Sequence, residues 1–322
     1  MQVASSGDAL TDRFAEALRA LWPAALIAEA KLGLAVSGGP DSLAMLLLAH
    51  RALPGRIAAA TVDHGLRAEN AAEAAMVGEV CANLGISHTV LPVVLAAGNV
   101  QAQARAARYA ALAEWVSDQG LGGLATAHHA DDQAETLLLR LNRESGVAGL
   151  AGVRARGQVP GTALPLLRPL LGFRRAELAG VVTQAGLTAA KDPSNEDDKF
   201  DRARLRKSLA GADWLDVPAL AASAAHFADA DAALDWAAAR EWAESVRPAP
   251  MGLVYRPQAP RAIALRVIAR IVRELGGEEP RGSAVARLFE KLLGRETASI
   301  GGLVARVTPE GWSFSKAPER RG

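Results

Sequence analysis

The segment LAVSGGPDSLAMLLLA, residues 34–49, contains an apolar run, a glycine turn and a second apolar run. The first run predicts a buried strand, and Asp41 and Ser42 mark the start of a helix. Glycines without side chains let backbone N–H groups close on phosphate oxygens, and the N-terminus of the helix adds a positive partial charge. The turn therefore predicts a pyrophosphate-binding site, made of Ser37, Gly38, Gly39, Pro40, Asp41 and Ser42.

The alternative is a glycine turn that binds nothing, in which Asp41 serves only as a helix N-cap. The complete SGGPDS sequence after a strand is much more specific than a bare Gly-Gly-x-Asp. It lacks the Gly-Lys-Ser/Thr of a Walker loop. That absence argues against transfer of the terminal phosphoryl group and favours cleavage between the first two phosphates of a nucleotide.

Short apolar runs alternate with longer amphipathic segments around this turn, as far as about residue 190. Such alternation indicates strand–helix units stacked on a parallel sheet. The predicted strands are Leu32–Val36, Ile57–Val62, His88–Val93, Leu121–Ala127 and Ala163–Leu167, and the predicted helices are Ser42–Ala52, Ala71–Leu84, Val100–Asp118 and Gln133–Leu141. An α/β domain with a doubly wound parallel sheet is therefore predicted over residues 1–212.

The pattern changes around Gly211–Pro218, and a smaller, mainly helical domain is predicted over residues 213–322. Its predicted helices are Ala219–Ser245, Arg261–Leu275 and Ser283–Leu293, with a short apolar run at Leu253–Tyr255 and a terminal hairpin near Leu303–Val307 and Trp312–Ser315. This part of the sequence carries no chemical signature.

The composition excludes several classes of protein. The 36 basic and 35 acidic side chains give a formal net charge of +1, so a polyanionic partner has to meet a local basic patch. Cys81 has no second cysteine with which to form an intramolecular disulfide or a thiolate metal cluster. The N-terminus lacks the uncharged core of a signal peptide, and no stretch is long enough to span a membrane. We expect a cytoplasmic protein that does not bind membranes.

Two further motifs are predicted at the carboxyl edge of the sheet, where doubly wound folds bind ligands. ATVDHGLRAEN, residues 60–70, places Asp63, His64 and Arg67 after the second strand. NVQAQARAARYAAL, residues 99–112, puts Arg105 and Arg108 on one face of a helix, where the two guanidinium groups could grip a phosphate. For this Arg-x-x-Arg pair the alternative is a basic stripe exposed to solvent.

The segment TAHHADDQAETLLLRL, residues 126–141, follows the fourth strand and combines His128, His129, Asp131 and Asp132 at the start of a helix. His128 and Asp132 are four residues apart and could share a helical face, so a metal site is considered. In the presence of ATP, Mg²⁺ held by Asp131 or Asp132 and by phosphate oxygens is more natural than a closed zinc site.

The last motif is KDPSNEDDKFDRARLRKSL, residues 191–209, a turn followed by a basic run. Such a run can neutralise RNA phosphates, and the alternative is the exposed face of a helix. The candidate RNA-binding residues are Lys199, Arg202, Arg204, Arg206 and Lys207.

SGGxDS is the pattern of the PP-loop ATP pyrophosphatases, which activate an oxygen as its AMP ester. The series SGGxDS, DHxLR, N-x-x-x-x-AR-x-x-RY, AHHxDDQxET and DPSN occurs here in order, from residue 34 to about residue 209, and it resembles the series of the tRNA-lysidine synthases. The related tRNA 2-thiocytidine enzymes use paired cysteines to carry sulfur, and Cys81 stands alone. Ala203 and Glu144 depart from the family pattern, which commonly has asparagine at the first position and RGSG around the second.

The resemblance implies an enzyme that uses ATP and Mg²⁺ to join free L-lysine to C2 of the first anticodon base of the CAU-reading isoleucine tRNA, through an adenylated cytidine. It implies catalytic roles for Asp41, Arg105, Arg108, His129 and Asp132, metal binding by Asp41 and Asp132, nucleotide binding by the SGGPDS turn with Asp63 and His64, and tRNA binding by the basic run and the C-terminal domain. The group that deprotonates lysine is left open between a carboxylate and His129. Whether the protein forms a homodimer is also left open.

Two other functions remain as alternatives: a tRNA-binding module without catalysis, and a different PP-loop enzyme acting on a small metabolite. The first predicts that the residues with chemical roles have drifted, whereas they are intact. The second predicts that pyrophosphate release does not require tRNA.

Overall fold

A computed structural model describes residues 6–26, 29–65, 68–93, 100–190, 201–276 and 279–317. The chain forms two compact units, Met1–Ala228 and Asp229–Gly322, and the division falls within a helix, α9 (Val217–Ser245). The domain bounds expected from the sequence, 1–212 and 213–322, stay a prediction.

The first unit contains the predicted parallel sheet. Its strands are β1 (Leu32–Ala35), β2 (Ile57–Asp63), β3 (Ser87–Pro92), β4 (Leu124–Ala125), β5 (Arg156–Gln158) and β6 (Pro165–Leu167), in the order β3-β2-β1-β4-β6-β5. All neighbouring pairs are parallel except β5 with β6. The doubly wound sheet is confirmed, and β5 is an antiparallel edge strand that the apolar pattern did not indicate.

The helices of this unit are α1 (Ser6–Leu21), α2 (Pro40–Ala52), α3 (Ala68–Leu84), α4 (Val100–Asp118), α5 (Ala130–Leu141), α6 (Val147–Leu150), α7 (Arg175–Gln184) and α8 (Asp201–Ala210). The four predicted helices are α2 to α5, and the observed α4 has the predicted bounds. Among the described residues, no helix is long and apolar enough to cross a membrane.

Helices cover both faces of the sheet, and alternate side chains of its strands pack against them. Leu32 and Leu34 of β1 pack in a cluster with α1, α2, α3 and α7, whereas Ala35 packs with α4 on the other face. Between them, Gly33 lets α4 approach closely, because a Cβ at this position would lie 2.8 Å from Cζ3 of Trp115. Cys81 lies in the first cluster, and burial raises the pKa of its thiol to about 11, as expected for a small core residue.

The second unit contains part of α9, then β7 (Val246–Ala249), β8 (Gly252–Tyr255), α10 (Arg261–Gly276), α11 (Gly282–Leu293), β9 (Ala298–Ile300), β10 (Leu303–Thr308) and β11 (Gly311–Lys316). The predicted hairpin is confirmed as β10 and β11, and it lies within an antiparallel sheet of order β7-β8-β11-β10-β9. In its core the ring of Trp312 meets those of Tyr255 and Phe289 edge to face, with centroids 6.0 and 5.5 Å apart.

Replacing Gly33 with alanine should destabilise the protein by about 1–3 kcal/mol, because the added methyl group overpacks the contact between β1 and α4. Urea unfolding measures the change. The matched control is Gly180→Ala in α7, where an added Cβ meets nothing within 4 Å. This control should stabilise the protein by about 0.5–1 kcal/mol, because alanine favours the helix more than glycine does. An unchanged unfolding free energy for Gly33→Ala would mean that the Trp115 ring moves aside without cost.

Candidate active site

The long sequence motifs meet at the point where the strand order reverses. β1 has β2 on one side and β4 on the other, so the chain winds outward in both directions from β1 and β4. In such sheets the crevice beyond the carboxyl ends of these strands is the usual ligand site. The SGGPDS turn follows β1, and the AHHADDQ segment follows β4.

Hydrogen bonds within the SGGPDS turn fix its conformation. Gly38 has φ +82°, Gly39 is the N-cap of α2, and Pro40 is the first residue of that helix. The backbone N–H of Ser37 donates to Oγ of Ser42 over 3.1 Å, and Ser42 Oγ donates to the carbonyl of Gly39 over 3.0 Å. The N-terminus of α2 therefore faces the crevice as a site for an anion.

Two neighbouring cavities formed by described residues lie at this edge. The β2 cavity has a volume of about 250 Å³ and is lined by Ala35, Val36, Ser37, Ala60, Thr61, Val62, His64, Asn70, Glu73 and Arg108. The β4 cavity has a volume of about 210 Å³ and is lined by Ala35, Ser37, Gly39, Asp41, Ser42, Arg108, Thr126, Ala127, His128, Asp132 and Arg202. They share Ala35, Ser37 and Arg108, so one elongated ligand can occupy both.

Arg108 of α4 is half-buried in the wall shared by the two cavities. Within the described part of the chain, no carboxylate forms an ion pair with it. Burial, with the charge of Arg105 nearby, lowers the pKa of its guanidinium. A half-buried cation without a counter-ion attracts an anionic ligand. Arg105 is exposed beside it, with its guanidinium 5.1 Å from the centre of the Tyr109 ring.

Asp63 and His64 lie at the end of β2. Asp63 Oδ1 accepts a hydrogen bond of 2.8 Å from the backbone N–H of Gly65, which shapes the turn after the strand. His64 lines the β2 cavity, and burial and the charge of Arg108 lower the pKa of its imidazole, against the opposing charge of Asp63. His64 therefore faces the cavity as a neutral ring at pH 7.

His129 joins the turn after β1 to the first turn of α5. Its side chain is 1% exposed, and its Nε2 lies 3.4 Å from Asp41 Oδ2 and 3.6 Å from Asp132 Oδ2. Burial alone would lower the pKa of His129, but the hydrogen bond to Asp41 and the charges of Asp132 and Asp41 outweigh it and raise the pKa. Asp41 Oδ1 is buried and has no hydrogen-bond partner among the residues that the structure describes.

The two adjacent aspartates of α5 have different surroundings. Asp131 accepts hydrogen bonds from the backbone N–H of Arg175 over 2.8 Å and from Nε of Arg174 over 3.3 Å. Burial favours the protonated form, but these hydrogen bonds and the Arg174 charge lower the pKa of Asp131. Asp132 lines the β4 cavity instead. Asp131 is thus committed to the start of α7, and Asp132 faces the ligand site.

His128 was predicted only as a possible metal ligand, and Arg168 belongs to none of the sequence motifs. His128 Nδ1 lies 3.1 Å from Thr126 Oγ1 in the β4 cavity. Burial and the charges of Arg168 and Arg108 lower the pKa of His128 to about 4, despite Asp132. Arg168 is 7% exposed and donates through Nη1 to the carbonyl of Arg154 over 2.6 Å. In the sequence, only its position directly after the predicted strand Ala163–Leu167 could have indicated Arg168.

The basic run of α8 packs against α5. Glu135 is 2% exposed and accepts hydrogen bonds from Nε of Arg206 over 2.9 Å and from Nη2 of Arg175 over 3.3 Å. Arg202 donates to Thr136 Oγ1 over 3.0 Å and lines the β4 cavity. Arg206 is therefore part of an internal ion pair, which a solvated basic helix face does not have.

The other candidates of the basic run have different positions. Arg204 is exposed and pairs with Asp201 over 2.5 Å, and Lys207 is exposed near the end of α8. Lys199 lies outside the described residues, as do Arg67 and the Asp192–Asn195 turn.

Gln133 ties the glycine-containing segment 146–157 to α5. Its side-chain amide donates to the carbonyl of Val153 over 2.9 Å and accepts from the N–H of Val153 over 2.7 Å. At Gly152, a Cβ would lie 2.5 Å from Gln133 Oε1. This segment contains α6 and a turn that is held to α5.

The two departures from the family pattern fall at distinct places. Glu144 has φ +54°, a left-handed conformation that favours glycine, in the turn after α5. Ala203 is 4% exposed on α8, so an asparagine there would need buried hydrogen-bond partners.

The β4 cavity offers carboxylate oxygens to a metal ion but, among the described residues, too few side chains to complete its coordination. Within the described ranges, no group of three or more His, Cys, Asp and Glu side chains is arranged to hold a metal. Asp41 and Asp132 both approach His129 Nε2, and Asp41 Oδ1 has no hydrogen-bond partner in the described part of the chain. Mg²⁺ is characteristically bound by one or two carboxylates together with substrate phosphates, which this donor set fits.

Comparison with known proteins places the chain in a family. A sequence model of the PP-loop domain matches residues 10–212. The tRNA(Ile)-lysidine synthase of Novosphingobium aromaticivorans is 48% identical over 311 residues, covering 95% of both chains, and that of Zymomonas mobilis is 39% identical over 315 residues, covering 96% of this chain and 94% of the other. A U34-tRNA thiolase, NcsA from Methanococcus maripaludis, shares the fold, with a TM-score of 0.55 at 16% identity over 68% of this chain and 78% of its own.

The contact between His129 and Asp41 can be tested by titration. In the wild type, His129 should titrate above the ordinary value of 6.5, because Asp41 and Asp132 stabilise the imidazolium. In Asp41→Asn its pKa should fall, since one of the two charges that oppose burial is removed. NMR of the histidine Cε1–H signals against pH measures both values, with the exposed Asp118→Asn as the matched control. An unchanged His129 pKa in Asp41→Asn would contradict the assigned contact.

Proposed function

This chain belongs to the tRNA(Ile)-lysidine synthase family, and from that premise we propose that it joins free L-lysine to C2 of cytidine 34 in the CAU anticodon of tRNA(Ile). ATP supplies the activation, and the products are lysidine, AMP and pyrophosphate. The observation that carries the proposal is the pair of cavities joined at Arg108 and the N-terminus of α2, with Asp41 and Asp132 on one side.

ATP fits the two cavities with its nucleoside in the β2 cavity and its phosphates beside the SGGPDS turn. Ala60 and Val62 give the β2 cavity an apolar wall for a base, and neutral His64 adds no charge to it. The phosphates meet the free N–H groups of the helix N-terminus and the guanidinium of Arg108, where both act on developing negative charge. The β4 cavity then receives cytidine 34 and lysine.

In the first step, O2 of the cytidine attacks the α-phosphorus of ATP. The bond from that phosphorus to the bridging oxygen breaks, and pyrophosphate leaves with the electron pair. Arg108, with the charge of Arg105 nearby, stabilises the charge that grows on the leaving group. Bound to Asp41, Asp132 and phosphate oxygens, Mg²⁺ would supply Lewis-acid stabilisation of the same charge.

In the second step, the neutral ε-amine of lysine attacks C2 of the adenylated base, the C2–O bond breaks, and AMP leaves. An ammonium group has no electron pair for this attack, so a proton has to leave it first. His129 is too deeply buried to reach the amine, and it serves in this scheme to position Asp41 and Asp132. This leaves a carboxylate of the β4 cavity, which is lined by Asp41 and Asp132, to take the proton.

The tRNA backbone meets the exposed part of the basic run. Arg204 and Lys207 are exposed on α8, and Arg202 of the same helix reaches the β4 cavity. A single helix thus carries cations from the reacting base to the surrounding phosphates. Arg206 is left out of this contact, because it pairs with buried Glu135. The second unit is assigned to the tRNA body on the strength of the family alone.

The reaction is tested by its products. Purified protein with ATP, labelled lysine and tRNA should form AMP and pyrophosphate, with label retained on the CAU isoleucine tRNA and on no other transcript of a panel. ADP formed in step with turnover would contradict adenylation. Pyrophosphate release without tRNA would instead indicate a PP-loop enzyme of small-molecule metabolism.

The role of α8 is tested by the salt dependence of tRNA binding. The variant Arg204→Ala, Lys207→Ala should bind tRNA more weakly, and the slope of log K against log salt should fall by about two units, since each lost phosphate contact removes about one. Its ATP affinity should not change. The matched control is Arg19→Ala, Arg51→Ala, which removes two exposed arginines from α1 and the end of α2. Equal slopes for both variants and the wild type would place the tRNA elsewhere.

A further inference from the structure

Glu73 is a carboxylate in the wall of a cavity assigned to a polyanion. It lies on α3, is half-buried, and lines the β2 cavity together with His64, Asn70 and Arg108. No motif of the sequence includes it, and the reaction scheme above does not use it. The helical spacing of three residues from Asn70 puts both on the face of α3 that meets the cavity.

Glu73 lies next to the phosphate loop. Its backbone carbonyl is 3.6 Å from the position that a Cβ on Gly38 would occupy, so this turn of α3 packs directly on the SGGPDS turn. Arg108, which belongs to both cavities, lies in the same wall. Glu73 is therefore near the end of the β2 cavity where the nucleoside joins its phosphates.

A carboxylate in this position needs hydrogen-bond donors. Among the described residues, Glu73 has neither an ion pair nor a hydrogen bond to its side chain, although Arg108 lines the same cavity. An ionised carboxylate only accepts hydrogen bonds, and a nearby triphosphate repels it. Of the groups of ATP, the two ribose hydroxyls and the adenine amine are donors, and the ribose is the part bonded directly to the phosphates.

From this juxtaposition we infer that Glu73 accepts hydrogen bonds from the vicinal 2′- and 3′-hydroxyls of the ATP ribose and so selects a ribonucleotide. Acidic side chains serve the same purpose in other doubly wound nucleotide-binding folds, where they bind ribose hydroxyls near the phosphate turn. The inference rests on the proposed function, because it requires ATP in the β2 cavity. Glu73 is thus assigned as a specificity-determining residue that takes no part in the bond-breaking steps.

Isothermal titration of the full chain with Mg²⁺ tests the assignment, using ATP, 2′-deoxyATP and 3′-deoxyATP as ligands. The wild type should bind ATP at least about tenfold more tightly than either deoxynucleotide, since a hydrogen bond to a charged group contributes that much or more. Glu73→Ala should bind the three nucleotides with affinities within about twofold of one another. Glu73→Gln, which keeps the size and one acceptor, should show an intermediate preference.

Glu79→Ala is the matched control, because Glu79 is an exposed acid on the same helix, and it should keep the wild-type preference. In the ligation assay, Glu73→Ala should raise the KM for ATP by the same factor as it weakens ATP binding and leave kcat within about twofold. A merely structural role would lower the affinity for all three nucleotides equally and would leave their ratios unchanged, which would overturn the inference.

Three further outcomes separate this inference from the proposed function. Purine riboside triphosphate lacks the adenine amine, and if Glu73→Ala abolishes the preference for ATP over this analogue instead of over the deoxynucleotides, Glu73 contacts the base and the inference is wrong. If the wild type binds no ATP at all, the proposed function itself fails. Binding of ATP with deoxynucleotide discrimination intact in both Glu73 variants refutes only the role of Glu73.

Discussion

The geometry of the active site depends on one buried contact, in which the imidazole of His129 lies between Asp41 and Asp132. Asp41 belongs to the turn after β1 and Asp132 to the helix after β4, so the contact joins the two halves of the sheet where the strand order reverses. Burial would lower the pKa of His129, but the hydrogen bond to Asp41 and the charges of Asp132 and Asp41 raise it. The contact holds both acids at the place where a hard cation and a triphosphate are to be bound.

Neighbouring acids of α5 acquire different roles through helical geometry alone. Asp131 and Glu135 are four residues apart and share one face, where arginines of α7 and α8 pair with them. Asp132 is the next residue after Asp131 and is turned by about 100°, which brings it to the β4 cavity. The internal ion pairs fix the helix, and the remaining acid faces the ligand.

Local patterns predicted the sheet and the two turns at its carboxyl edge, because strand period and glycine turns are properties of short segments. Contacts between distant segments were not predictable in this way. Arg206 has the composition of an RNA-binding residue, and only the fold shows that it meets Glu135. Likewise, only the fold shows that Gln133 holds the turn at Val153 through two hydrogen bonds. Short strands such as β5 and β9 carry too few residues for a periodic signal.

Helix α5 contributes both to the site assigned to ATP and to the surface assigned to tRNA. Its first turn supplies Asp132 to the ATP side, and Glu135, one turn later, fixes α8, whose exposed cations are assigned to tRNA. Loss of Arg206 would leave the 2%-exposed Glu135 with Arg175 as its remaining described partner, and a buried charge with a missing partner destabilises its surroundings. Disturbance at this ion pair would reach the ATP site through α5, whereas removal of Arg204 and Lys207, which line neither cavity, would not. The ion pair between Arg206 and Glu135 is thus the physical link between the surface assigned to RNA and the cavity in which the base reacts.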